Sequence, residues 1–319
     1  MTHVLRTTDL KLYHNTARGQ LRAVDGISLT INKGETLGLV GESGCGKSTL
    51  AMCVVGINAP TGGQLEVAGV TPGKGRANRI ARAQAVQMVF QDPSGALNPR
   101  LLVGRIIEEP LRVHGLGTAA ERKAKVQELA QKVGLSDYHL PRFPHELSGG
   151  QRQRVSIARA LALNPALLVC DEAVSALDVS VQAQVLNLFI DLQKELDLTY
   201  LFISHDLSVV RYVSHRIAVM YLGRIVEIGP AEEVWHRRVH PYTRALVAAI
   251  PGDEALQDEA VLLEGDVPSP VNPPSGCAFR TRCPAARDRC AAEVPALRDM
   301  GGGLEVACHF AEEFAATKI

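Results

Sequence analysis

The sequence predicts an α/β protein, with a mostly parallel sheet and helices around a phosphate-binding loop, followed by a small irregular tail. Three observations predict it. Short apolar runs alternate with amphipathic helical stretches, the pattern of a buried parallel sheet. A glycine-rich run, G-E-S-G-C-G-K-S-T at 41–49, joins one such run to a helix. Four of the seven cysteines, Cys277, Cys283, Cys290 and Cys308, fall beyond residue 276 of a 319-residue chain, so the tail has a chemistry of its own.

The expected parallel strands are 36–40, 86–90, 167–170 and 199–203, each a short apolar run ended by a polar or glycine-rich turn. Residues 180–197 predict a helix, with Val181, Val185, Leu188, Leu192 and Leu196 on one face and Gln182, Asp191 and Lys194 elsewhere. Two insertions break the alternation. Residues 56–80 are glycine-rich and predict short strands of an antiparallel lobe, whereas 92–165 predict a helical lobe. Past Pro251 the character changes, and P-S-P-V-N-P-P at 268–274 reads as a linker without helix or sheet potential. The expected division is 1–250 for a nucleotide-binding domain and 251–319 for a cysteine-bearing domain.

Composition excludes several classes. Hydrophobic residues at 46% and charged residues at 21% are those of a globular chain, which excludes disorder. Aromatics at 4% leave the core to aliphatic residues. Thirty-four basic residues balance 34 acidic ones, so no net field draws the chain to nucleic acid or to an anionic membrane. A membrane span needs about 20 apolar residues; the best stretch, 157–170, is interrupted by Arg159, Asn164 and Pro165. Asp9 and Lys11 stand where a signal peptide would be apolar. The expectation is a cytoplasmic chain with no nucleic-acid partner, touching a membrane only through a partner protein.

The loop at 41–49 carries the first chemistry. Gly41, Gly44 and Gly46 let the backbone curl so that its N–H groups point at phosphate oxygens, and the following helix N-terminus adds partial positive charge. Glu42, Ser43, Cys45 and Thr49 complete the cradle. Lys47 is placed for the β- and γ-phosphates and Ser48 for Mg²⁺. The matching half is A-L-L-V-C-D-E at 166–172. Two adjacent carboxylates ending a buried strand cost desolvation energy unless a cation or a reaction uses them. Asp171 would hold Mg²⁺ through its water shell, and Glu172 would polarise an attacking water. Cys45 and Cys170 read as small core residues, Cys45 with some exposure to oxidation.

L-S-G-G-Q at 147–151, followed by R-Q-R-V-S-I-A-R-A-L, lies just upstream of the acidic strand. Here the chain resembles the ATP-binding cassette (ABC) ATPases over at least residues 5–250. The resemblance implies a P-loop NTPase (RecA-like) ABC nucleotide-binding domain with antiparallel β and helical subdomains, plus the small irregular cysteine domain. It implies that Gln91 is the Q-loop residue, which also reaches Mg²⁺. Ser175, Ala176, Leu177 and Asp178 match the D-loop, His205 the switch histidine, and Tyr13 the ring that stacks on adenine. Ser148, Gly149, Gly150 and Gln151 open a helix and form a second anion site. In the family this signature closes on ATP held by another subunit. Ala173 stands where many cassettes have proline.

H-P-Y-T-R-A-L at 240–246, F-Q-D-P-S-G-A-L-N-P-R at 90–100, the linker and the tail cysteines resemble the F-type ATPase subunits of bacterial dipeptide/oligopeptide permeases. That resemblance implies a paired D-type ATPase subunit, two transmembrane permease subunits, an extracytoplasmic solute-binding protein and a peripheral position on the cytoplasmic face of the inner membrane. It also implies a 4Fe–4S cluster on Cys277, Cys283, Cys290 and Cys308. Their gaps are wider than the pairs of a structural zinc site, and four thiolates suit a cubane. Zinc with His309 replacing a cysteine, and unliganded thiols, stay open. So do two other readings of the whole chain, a soluble cassette ATPase acting on ribosomes or nucleic acid and an iron–sulfur sensor.

Overall fold

The computed structural model describes residues 3–71, 73, 75–250 and 265–316. The chain opens with a long hairpin, β1 (His3–Thr16) and β2 (Gly19–Asn32), then β3 (Thr36–Val40), α1 (Lys47–Val55), β4 (Gly62–Val67), α2 (Arg76–Ala85) and β5 (Val86–Val89). A helical lobe holds α3 (Pro93–Ala96), α4 (Val103–Val113), α5 (Ala119–Lys132) and α6 (Gly149–Leu161). The chain returns through β6 (Leu167–Asp171), α7 (Val179–Leu196), β7 (Tyr200–Ser204), α8 (Leu207–Val213), β8 (Arg216–Tyr221), β9 (Arg224–Pro230), α9 (Ala231–Arg237) and α10 (Pro241–Ala248). The tail adds α11 (Asp288–Ala292), β10 (Arg298–Asp299), β11 (Glu305–Val306) and α12 (Ala311–Ala316).

An eight-stranded sheet runs β10-β11-β9-β8-β3-β7-β6-β5, and β2-β1-β4 form a separate antiparallel sheet. From β8 to β5 the pairings are parallel. The period-2 alternation of a strand gives each central strand two apolar faces. Leu37 and Leu39, Leu167 and Val169, and Leu201 and Ile203 pack in one core under the antiparallel sheet. Val40, Leu168, Cys170, Tyr200 and Phe202 pack in the other, which continues into the helical lobe. All are almost completely buried, at about 1.5–3 kcal/mol for each large side chain. The parallel arrangement brings the C-terminal ends of β3, β6 and β7 to one edge, where α/β proteins bind ligands.

The four expected strands and the expected helix are present within a residue or two of their bounds. The lobe expected at 56–80 differs. Only β4 falls there, α2 begins inside it, and most of the antiparallel sheet comes from β1 and β2. Register shifts interrupt the β1–β2 ladder at several points, and such bulges break the alternation that marks a strand. The expected boundary at 250/251 adjoins residues 251–264, which lie outside those described.

The tail is joined to the cassette by more than a linker. Its β11 pairs antiparallel with β9, Glu305 opposite Ile228 and Val306 opposite Glu227, extending the main sheet. Phe279 is buried against Tyr221 and Tyr242, with ring centroids 5.2 and 5.4 Å away, an edge-on aromatic cluster. His240 caps α10 by accepting from the Tyr242 N–H, and burial pushes its imidazole down to about 3, so it stays neutral.

Candidate functional site

The phosphate loop turns between β3 and α1. Gly46 stands just before the helix at φ 109°, and a Cβ there would come within 2.0 Å of the Ala23 carbonyl oxygen; only glycine fits. Lys47 Nζ donates to the carbonyl oxygens of Gly41 and Glu42 at 2.7 and 2.9 Å, which curls the loop around the lysine. Ser43 to Thr49 face a cavity of about 400 Å³ whose other walls are Leu21, Arg22, Ala23, Gln91, Glu172, Leu222, Gly223 and Pro270. Cys45 is buried, and burial raises its thiol despite the nearby Lys47 ammonium, which disfavours the thiolate that oxidation requires.

Strand β6 delivers the carboxylates. Asp171 Oδ1 accepts from the Ser48 hydroxyl at 3.1 Å, and burial raises its carboxyl above the usual range. A cation beside it would reverse that shift. The hydroxyl, the carboxylate and the nearby Gln91 amide are hard oxygen donors of the kind Mg²⁺ takes. Glu172 sits at φ 48°, left-handed backbone that costs about 1–3 kcal/mol for a side-chain-bearing residue. Its N–H donates to Ile203 O at 2.9 Å, and its own carbonyl accepts from the Ser175 N–H and hydroxyl. These bonds hold the turn that points Glu172 into the cavity. Its Oε2 lies 3.0 Å from Gln91 Nε2 and 3.4 Å from His205 Nδ1. Gln91, Glu172 and His205, far apart in sequence, thus converge on one carboxylate oxygen.

The signature lies elsewhere. Ser148 caps α6 in a reciprocal pair with Gln151. Gly150 packs so tightly on α7 that a Cβ would meet Val181 at 2.5 Å. Asp178 precedes α7, where Val179 is 85% exposed. None of Ser148, Gly149, Gly150, Gln151 or Asp178 lines the phosphate cavity. Tyr13 does not line it either: its hydroxyl donates to Asp25, and its phenol is pushed up to about 12 by burial and that carboxylate. Burial works to raise Asp25, but the Tyr13 hydroxyl and the fork of Arg224 outweigh it and hold the carboxyl low.

Several walls escaped sequence reasoning. Arg22 and Leu222 carry no motif, Pro270 reads only as linker, and the Arg22 N–H donates to Pro270 O at 3.1 Å. Glu42 is forked by Arg282 of the tail at 2.6 and 3.0 Å, and its N–H donates to the Tyr242 hydroxyl at 2.8 Å. Hydrogen bonding to Glu42 raises the Arg282 guanidinium above its ordinary value. The tail's four cysteines are free, Cys290 buried and the others half-buried. Burial pushes Cys277 and Cys308 up to about 11, and Cys290 adds to both. Cys277 N–H donates to Cys290 O at 2.8 Å. The thiols therefore share one neighbourhood, yet among the described residues no three His, Cys, Asp or Glu are placed to hold a metal ion. His309 Nε2 lies 3.0 Å from Glu293 O.

With this geometry in place, comparison with known proteins is decisive. The family described as ABC transporter matches residues 24–175, and the oligopeptide/dipeptide transporter C-terminal region matches 226–290. A probable peptide ABC transporter ATP-binding protein of Sinorhizobium fredii is 54% identical over 94% of this chain and 85% of its own. The di/tripeptide transport ATP-binding protein of Pseudomonas aeruginosa is 47% identical over 98% and 99%. The chain belongs to the ABC transporter ATP-binding proteins. As an ABC ATPase it aligns with a solved dimeric cassette bound to ADP and phosphate, at TM-score 0.65 and 27% identity over 71% of this chain and 98% of that one. No helix among the described residues of this ABC ATPase is long and apolar enough to cross a membrane. The nucleic-acid and sensor readings find no support in these relatives.

Proposed function

We propose that this ABC ATPase hydrolyses ATP to drive uptake of di- or oligopeptides through a membrane importer. One observation carries the reading: a phosphate loop facing Gln91 and Glu172, with His205 against the Glu172 carboxylate, occurs on the same chain as a C-terminal region matched to oligopeptide/dipeptide transporters. The relatives named for peptide transport support the substrate class.

In this reading Lys47 and the loop N–H groups bind the phosphates, and Ser48 and Asp171 hold Mg²⁺ with Gln91 beside them. When bound there, the metal would supply charge neutralisation at the phosphates. Glu172 takes a proton from the attacking water as general base. His205, within reach of the same oxygen, orients that carboxylate. Ser148, Gly149, Gly150, Gln151 and Asp178 face away from their own cavity and serve the site of a second cassette. The dimeric state of that solved relative supports a second cassette. Tyr13 remains the candidate for the adenine face, reached by rotation away from Asp25. The partners are a D-type ATPase subunit and two permease subunits fed by an extracytoplasmic binding protein, with this chain peripheral on the cytoplasmic side.

The four tail thiols match in number the ligands of a 4Fe–4S cluster, and their wide gaps in sequence favour that group over a structural zinc site. The cluster would staple a segment with little core of its own. One preparation tests both proposals. Purified anaerobically from membranes, the tagged chain brings down two multispanning subunits and a second ATPase, and carries about four irons per chain that Cys290→Ser removes. Recovery alone or with ribosomes contradicts the importer reading. Stoichiometric zinc, or no metal, contradicts the cluster.

A further inference from the structure

Glu42 is the only acidic residue within the loop 41–49. A carboxylate there is electrostatically costly, because its charge repels the triphosphate that the loop must hold. The structure disposes of it in a specific way. Ser43 to Thr49 line the cavity and Glu42 does not. Its two carboxylate oxygens take both terminal nitrogens of Arg282, at 2.6 and 3.0 Å, with the arginine side chain only 7% exposed. Such a planar fork is the strongest and most directional ion pair available to a protein. Its aim is set by the tail. Arg282 N–H donates to Phe279 O at 3.0 Å, Arg280 N–H donates to Cys277 O at 3.1 Å, and Phe279 is buried between Tyr221 and Tyr242. Tyr242 in turn accepts the Glu42 N–H. Both polar ends of Glu42 are thus held by residues far from it in sequence.

We propose that Arg282 is a positioning residue of the nucleotide site, neutralising the loop's carboxylate and turning it away from the phosphates. The cysteine-bearing tail is thereby a working part of the ATP site. This rests on the assignment of residues 41–49 as the phosphate loop, and Lys47→Ala serves as the control for that assignment.

The test measures ATP affinity and the KM-against-kcat split of the purified assembly. Arg282→Ala should raise the dissociation constant and the KM for ATP roughly tenfold, as loss of a residue that orients a binding group commonly does. The kcat at saturating ATP should stay within about twofold, because the interaction is equal in ground and transition states. Adding Glu42→Gln to Arg282→Ala should restore affinity, since the unpaired carboxylate is then gone. A residue that only fastened the tail would show neither the loss nor this rescue. Wild-type affinity in Arg282→Ala, where Lys47→Ala has lost ATP, overturns the proposal, as does a loss that Glu42→Gln does not relieve. If Lys47→Ala itself keeps ATP, the phosphate-loop reading falls and this proposal with it. Should Arg282→Ala not fold, Arg282→Gln, which keeps the length and loses the charge, gives the same readouts.

Discussion

Glu172→Gln abolishes ATP turnover and leaves ATP binding intact. The substitution keeps the shape of the side chain and its contact with the Gln91 amide, and removes only the basic oxygen. Loss of a general base costs about 100- to 10,000-fold in rate, the upper end being expected where nothing nearby can substitute. His205 is the nearest alternative, 3.4 Å from the same Glu172 oxygen. It does not line the cavity. The strained φ of Glu172 gives a second reason: a fold holds a residue in that region where its aim is needed. With hydrolysis blocked, ATP stays between two cassettes, so the variant should accumulate as a closed pair on size-exclusion chromatography in ATP. Single-turnover hydrolysis near the wild-type rate in the assembled complex would remove Glu172 from its role.

Lys47→Ala should lose both affinity and turnover. Lys47 is 5% exposed and bonded to two loop carbonyls, so its ammonium is already fixed beside the phosphate position. Charge-assisted bonds of this kind contribute about 1.5–3 kcal/mol each, which corresponds to a rise of roughly 10- to 100-fold in the ATP dissociation constant. Truncation also frees the carbonyls of Gly41 and Glu42, so the loop loses its inner support. Calorimetry on the full chain reads the effect. Lys47→Ala acts on ground-state binding and Glu172→Gln on the chemical step, so the pair separates the two halves of the site.

Much of this site was legible in the sequence because its chemistry is written in contiguous runs. The loop at 41–49, the acidic end of β6 and the signature at 147–151 each need a fixed spacing on one element. Gln91 and His205 were legible only through the resemblance to the ABC ATPases, and the parallel order of β5, β6 and β7 brings their strand ends together. What escaped is held by contacts between distant residues. No local pattern announces that Arg282 meets Glu42, or that Pro270 walls the cavity beside Arg22. The two-residue strands β10 and β11 are too short for an alternation to register, so the tail's pairing with β9 was invisible. Tyr13 shows the opposite difficulty. An aromatic residue on the first strand was easy to notice, but its bond to Asp25 depends on the bulged β1–β2 register.

The most direct test of the whole account is ATP-driven uptake. Inside-out vesicles or proteoliposomes carrying the complete assembly, with the binding protein and a labelled oligopeptide loaded in the lumen, are given ATP on the outside. The account predicts peptide movement that requires ATP, stops with Glu172→Gln in this subunit, and keeps pace with phosphate release. Peptide movement of equal rate without ATP, or sustained hydrolysis that no peptide-loaded binding protein alters, would contradict it.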